Sequence, residues 1–298
     1  MFPPGEAVTD EESQPQTRHQ FGKEAVEAQD VDHQLTVAGY LPAMARHCYV
    51  LRVFTREGKG GNHLGVVPDI LGLDDQKMQR LATELGFSET IYLSWFEGKV
   101  PRARIFTPAA EIPFAGHPLV GAAWLLLNLS PMDPDGIDCA IGPVEIHQEN
   151  RTTWVERPGR IVAREVEVQL SAPEAVEVEL PQPYLLLQLP SPGEVAAAPR
   201  PSIPGHDEVY LWAWEEEGRT VRARFFAPSF GVPEDPATGS AAVALAARMR
   251  LRGIEQGELT INQGEEMGHP SRIHLRWRED ATAIGGTVVR DETRFVSI

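Results

Sequence analysis

One feature restricts the folds open to this chain more than any other: a segment that recurs. Arg102-Ala-Arg-Ile-Phe-Thr-Pro108 returns as Arg222-Ala-Arg-Phe-Phe-Ala-Pro228, at a constant offset of 120 residues. In that frame Arg102/Arg222, Ala103/Ala223, Arg104/Arg224, Phe106/Phe226, Pro108/Pro228 and Pro113/Pro233 are identical pairs. Each copy runs on to a polar residue before a proline, His117-Pro118 and, with a slip of about two residues, Asp235-Pro236. Each then enters an apolar stretch of helical length, Leu119 to Leu127 and Ala241 to Leu251. Chance is a poor explanation for so many pairs in one frame, so the chain reads as an internal duplication. Its 298 residues suit two units of ordinary size, each with its own core.

The first helix start is the better defined. His117 reads as its N-cap and Pro118 as N1, where a missing N–H has no intrahelical partner to lose. Gly116 lets a ligand approach the backbone, and the free N–H groups of a helix start hold an anion. Elsewhere the pattern is of short strands: Tyr49–Phe54, Asn62–Val67, Ile91–Trp95, then a turn at Glu97-Gly98-Lys99 into Val100–Phe106. Asp74 to Leu85 reads as a helix stopped by Gly86. More short strands follow each apolar helix, and Tyr184–Leu189 reads as the opening of the second copy. The expected architecture is two halves, each of many short strands around one apolar central helix.

The net charge of −16 argues against nucleic acid as a partner, because phosphate recognition needs a basic face. No apolar run approaches the roughly 20 residues of a membrane span, and no signal peptide is visible. Cys48 and Cys139 lack CxxC spacing; they read as two reduced cytoplasmic thiols, with a single disulfide as the alternative. Residues 1–45 are rich in Glu, Gln, Asp and Pro, and read as a disordered extension. The start codon is then either Met1 or Met44.

Phosphate loops and metal sites fit badly. Gly58-Lys-Gly-Gly61 has His63 where a dinucleotide fingerprint needs its third glycine, and Gly116-His-Pro-Leu-Val-Gly121 continues in alanine rather than Lys-Ser/Thr. The nine histidines form no ligand pair at metal spacing, so no metal and no cofactor are expected.

Several ordered stretches do resemble a known family. They are Gly61-Asn62, Phe87-Ser-Glu-Thr90, Arg104-Ile-Phe-Thr-Pro108, Glu111-Ile-Pro-Phe-Ala-Gly-His-Pro118, Glu234-Asp-Pro-Ala-Thr-Gly-Ser-Ala241, and Gln263-Gly264 with Met267-Gly268 and Pro270-Ser271. Together they resemble the phenazine-biosynthesis isomerase (PhzF-like) family, over residues 46–298. The resemblance implies an α+β diaminopimelate-epimerase-like fold of two duplicated domains, each a barrel-like mixed sheet wrapped around a central apolar helix. The first domain would span 46–165, with 286–298 left open as its completion, and the second 166–285. It implies a cofactor-independent isomerase, a homodimer, moving a proton on a small unsaturated carboxylic acid. Glu89 matches the catalytic carboxylate, with His117 and Asp235 facing it; Asn62, Gly116, Gly239 and Ser240 match substrate-binding positions. The chain departs from the pattern at His63, where proline is usual, and at His269, where arginine is usual.

Physical chemistry agrees. A carboxylate in a closed, partly apolar cleft has a raised pKa and can take and return a proton near neutral pH. Phe87 and Ile91 flank Glu89 and are expected to supply that environment. Each residue also has a plainer reading: Glu89 as a surface carboxylate, His117 and Asp235 as helix caps, Glu111 as a structural hydrogen-bond acceptor, and the two arginine pairs as solvated strand faces. Two-thiol racemases of this fold class carry a cysteine in each cleft loop, and Cys48 and Cys139 lie in neither. Two rivals stay open: a non-catalytic binding protein on the same scaffold, and a one-base epimerase of an amino or hydroxy acid. Solvent-deuterium wash-in at a stereocentre separates the last from a positional isomerase.

Overall fold

In the computed structural model, residues 45–95, 100–131, 134–168, 174–181 and 183–297 are described. The expected extension at 1–45 lies outside them but for Ala45, and so does the turn at Glu97-Gly98-Lys99. The first run of strands is β1 (Ala45–Thr55), β2 (Asn62–Val67), β3 (Glu89–Ser94), β4 (Arg102–Phe106), β5 (Glu111–Ile112), β6 (Gly136–Cys139), β7 (Gly142–Glu149) and β8 (Thr152–Pro158). After β9 (Ala163–Glu165) comes a second run: β10 (Glu174–Glu179), β11 (Pro183–Gln188), β12 (Val209–Glu216), β13 (Thr220–Ala227), β14 (Val232–Asp235), β15 (Gly257–Gln263), β16 (Ser271–Arg278) and β17 (Ala281–Ser297). The helices are α1 (Asp75–Leu85), α2 (Gly116–Leu129), α3 (Pro192–Ala197) and α4 (Gly239–Leu251). The result is a mixed, sheet-dominated α+β fold with few helices.

The sense of pairing repeats. β1–β2 and β10–β11 are antiparallel, while β2–β3 and β11–β12 are parallel. The hairpins β3–β4–β5 and β12–β13–β14 are antiparallel. β4–β6 and β13–β15 are parallel, and β6–β7–β8 and β15–β16–β17 are antiparallel. By this order the second run opens with β10, not with the strand at Tyr184. β17 joins the runs: residues 281–286 pair with β8 and 287–297 with β1.

Register corrects the alignment read from sequence. Ile105 faces Ile112 across β4–β5, and Phe225 faces Asp235 across β13–β14. Arg104 holds Glu111 by two hydrogen bonds, of 2.7 and 2.6 Å, and Arg224 holds Glu234 by two, of 2.8 and 2.9 Å. Each guanidinium also lies over the phenylalanine two residues on, Phe106 at 5.2 Å and Phe226 at 4.9 Å. The true correspondence past the turn is therefore Glu-Ile-Pro-Phe-Ala-Gly-His with Glu-Asp-Pro-Ala-Thr-Gly-Ser. His117 matches Ser240, and Asp235 matches Ile112. The 3-10 turn Pro228–Phe230 lies in the longer second connection, and the Pro113/Pro233 identity is a coincidence of frame.

Of the four arginines, Arg102 keeps the exposed strand face expected of it, and the other three are held by carboxylates. Arg224 is buried and its Nη1 donates to the carbonyls of Val195, Ala196 and Ala198, closing the end of α3. Arg222 pairs with Glu265 and Glu266. Glu111 has the structural acceptor role expected of it.

Both long apolar helices are buried on almost every side, as helices without a polar face must be. Leu119, Val120 and Leu126 of α2 are at most 1% exposed, each burial stabilising by about 1.5–3 kcal/mol. α4 is built of small residues, so strands close on it tightly. Its buried cations are paired: Arg248 binds Glu174 and Gln188, and Arg250 donates to the Arg278 and Ala281 carbonyls. Among the described residues no helix is long and apolar enough to cross a membrane.

Candidate active site

The site forms where both helices begin. α2 starts two residues earlier than expected: Ala115 is its N-cap, without a side-chain bond, and Pro118 stands third. Proline is tolerated there because that N–H too lacks an intrahelical partner. Thr238, not Asp235, caps α4. The two starts touch. A methyl group on Gly116 would lie 2.6 Å from the Gly239 Cα, and one on Gly239 would lie 2.8 Å from the Gly116 Cα. Only glycine at both positions allows this approach, which aims two sets of free N–H groups at one place.

Strand alternation delivers Glu89. Glu89, Ile91 and Leu93 share the face of β3 that packs on α2, whereas Tyr92 faces α1 and donates to the Met78 carbonyl. Asn62 heads the equivalent row of β2, ahead of Leu64 and Val66. Glu89 therefore meets His117, with Oε2 3.3 Å from Nε2. The Glu89 side chain is 14% exposed and that of His117 2%. Neither facing atom has a hydrogen-bond partner among the described residues. Ile91 supplies apolar burial as expected; Phe87 does not, but stacks on the imidazole of His63 at 5.7 Å. His63 and His269, the two departures, meet edge to face at 5.8 Å.

Asp235 lies beside this pair but is fully engaged. Its Oδ1 accepts from Asn62 Nδ2 at 2.8 Å and Ser88 Oγ at 2.9 Å, and its Oδ2 accepts from Thr238 Oγ1 at 2.6 Å. Gln263 Nε2 donates to its backbone carbonyl at 2.8 Å and to Thr238 Oγ1 at 3.0 Å. Asn62 also reaches the Ala237 carbonyl at 3.2 Å. Ser240, at the start of α4, pairs its hydroxyl with that of Tyr184 at 2.9 Å. The structure thus brings together all seven residues singled out from sequence. Ser88, Thr238, Gln263 and Tyr184 were missed. Ser88, Thr238 and Gln263 stand inside the family-like stretches, but nothing in one sequence says that a serine on a turn reaches a carboxylate 147 positions away.

Burial, then the nearby Asp235 charge, hold the Glu89 carboxyl well above the usual carboxylate range. Burial pushes Asp235 up to about 6, against the hydrogen bonds from Thr238, Ser88 and Asn62 that favour its anion. Burial pushes His117 down to about 3, opposed by a hydrogen bond to the His63 backbone. The His117 ring is therefore neutral, with Nδ1 3.4 Å from Asn62 Nδ2 and Nε2 facing Glu89. A buried, strongly perturbed, unpartnered carboxyl beside two helix starts is equipped to carry a proton to and from a bound anion.

Cys48 and Cys139 are free, buried and outside this site. Among the described residues no group of three or more His, Cys, Asp or Glu is placed to hold a metal ion.

The family model described as "phenazine biosynthesis-like protein" matches residues 51–183 and 206–293. The trans-2,3-dihydro-3-hydroxyanthranilate isomerase of Pseudomonas aeruginosa is 34% identical over 257 residues, spanning 77% of this chain and 90% of that protein. A solved structure described as a predicted epimerase from Pseudomonas aeruginosa superposes with a TM-score of 0.69 at 28% identity, covering 84% of this chain and 98% of that one. The fold extends to a hydroxyproline epimerase from Agrobacterium vitis, with a TM-score of 0.62 at 12% identity, covering 86% and 93% of the two chains.

Proposed function

The chain belongs to the phenazine biosynthesis-like family, as an enzyme of the isomerase class, and we propose that it moves a proton on a small unsaturated carboxylic acid without a cofactor. The observation that carries this reading is the Glu89–His117 pair: two buried facing atoms, 3.3 Å apart, with no hydrogen-bond partner among the described residues. The substrate carboxylate rests on the N–H groups at Gly116 and Gly239 and on the Ser240 hydroxyl. The Glu89 carboxylate takes a proton from a C–H beside the double bond and returns it to another carbon of the same framework. The double bond shifts, and no electron leaves the substrate. The neutral His117 accepts the Glu89 proton as a hydrogen bond between the two steps and adds no charge. The helix starts stabilise negative charge that develops on the substrate.

The same reading takes the chain as two copies of one domain, about 46–165 and 166–285, with 286–298 completing the first. The repeated pairing senses and the pairing of β17 with β1 support it. It includes a homodimer and no nucleic-acid partner.

The test is solvent-deuterium incorporation with a panel of unsaturated carboxylic acids, among them trans-2,3-dihydro-3-hydroxyanthranilate, the substrate in the name of the Pseudomonas aeruginosa relative. Deuterium at a new carbon with a shifted double bond is expected. Deuterium at a stereocentre with the double bond unmoved would make the protein an epimerase instead. No exchange with any member, alongside tight binding of one, would leave a binding protein.

A further inference from the structure

From the geometry around α4 we infer that Tyr184 is a positioning residue, which orients the Ser240 hydroxyl so that its proton is free for the substrate carboxylate. This deepens the proposed function and rests on its placement of the carboxylate.

Tyr184 enters from β11 and is 8% exposed; Ser240 is 5% exposed. Their hydroxyl oxygens are 2.9 Å apart. Around them a small pocket is lined by Ile112, Pro113, Phe114, Leu180 and Phe230, so apolar walls surround the polar pair. A hydroxyl buried in such a place without a partner would cost more than a phenylalanine there. The phenol is the more acidic of the two hydroxyls and so the better donor. When it donates, Ser240 Oγ is the acceptor, and the serine proton has no acceptor of its own among the described residues. In many helices a serine turns its proton back onto the carbonyl four residues earlier. Here that carbonyl is Pro236, and no such bond forms. The proton is left for whatever lies at the N–H groups of Gly116 and Gly239. Burial, and after it the nearby charges of Glu89, Glu208 and Asp235, disfavours an ionised Tyr184, so the phenol stays a neutral donor.

The experiment is titration calorimetry of benzoate, a small apolar carboxylate, into the full chain and into Tyr184→Phe, Ser240→Ala and the double variant. Each single variant should bind benzoate on the order of tenfold more weakly, the size of one hydrogen bond to a charged group. The double variant should bind no more weakly than Ser240→Ala alone. A tyrosine that only tied β11 to α4 would lower the melting temperature and leave affinity alone. Affinity unchanged in Tyr184→Phe, or two losses that simply add, overturns the assignment while the carboxylate site stands. Failure of the unaltered chain to bind benzoate overturns the carboxylate site and Tyr184's role with it.

Discussion

Glu89 and Asp235 are both buried carboxyls, close enough to feel each other's charge, yet they live differently. Three side-chain donors converge on Asp235, and its backbone carbonyl has a fourth. Glu89 has an oxygen without a hydrogen-bond partner among the described residues, opposite a histidine nitrogen that also has none. Burial is the first cause that raises both pKa values; the donors oppose it at Asp235, which stands at about 6, and Glu89 has none to do so. Buried polar groups in folded proteins are normally satisfied, and the exceptions need a reason. The donors on Asp235 favour its anion and tie β2, the turn before β3 and the start of α4 together. Glu89 is left with proton affinity to spare.

The strongest way to break this comparison is Glu89→Gln. The amide keeps size and shape but is neither a base nor an acid near neutral pH. Solvent-deuterium exchange on an active substrate should fall by about 10²–10⁴, while benzoate affinity changes little. Exchange at the unaltered rate would move the proton carrier to Asp235 or His117 and reverse the roles given to the two carboxyls.

Next in size comes Gly116→Ala or Gly239→Ala. Each methyl meets the opposite helix start and the Ile284 side chain, within 2.6–2.8 Å. Forcing the starts apart should cost about 1–3 kcal/mol of stability, as overpacking does, and should weaken benzoate binding in either variant. A thermal melt and a titration check both. A wild-type melt for one of them would mean that the two helix starts are not equally committed to the site.

Much of this was legible in the chain. Strand and helix positions follow from alternation and from Asp74 and Gly86, which cap α1 as their residue types suggest. The recurring Arg-x-Arg-x-Phe segment marks β4 and β13 because the guanidinium, the phenylalanine and the following glutamate form one local device. What sequence could not give was frame beyond the turn. The second connection is longer by three residues, and identity at Pro113/Pro233 pointed the wrong way, so Asp235 was set against His117. α3 escaped notice because six residues leave too little periodicity. The satisfied state of Asp235 depends on Asn62, Ser88 and Gln263 arriving from distant strands, which is tertiary information.

The finest test of the comparison is Asp235→Asn, which removes one charge and keeps the shape. The amide oxygen still accepts from Asn62 and Ser88, and the amide nitrogen can donate to the Thr238 hydroxyl, so the fold should survive. Two pH effects follow with definite signs. The folded pKa of Asp235, about 6, lies above its ordinary value of 3.8. Its contribution to stability is therefore full below 3.8 and is lost as pH rises through about 6. Relative to the unaltered protein, the variant should gain melting temperature between those pH values and then hold a constant difference. On Glu89 the effect is smaller, because burial is its first cause and the Asp235 charge only its second. Losing that charge lets Glu89 ionise more easily. If ionised Glu89 is the base, the acid limb of the pH–rate profile should move to lower pH without reaching that of an exposed glutamate. A limb that stays in place would show that Asp235 remains protonated throughout, and the two carboxyls would have to exchange the states assigned to them.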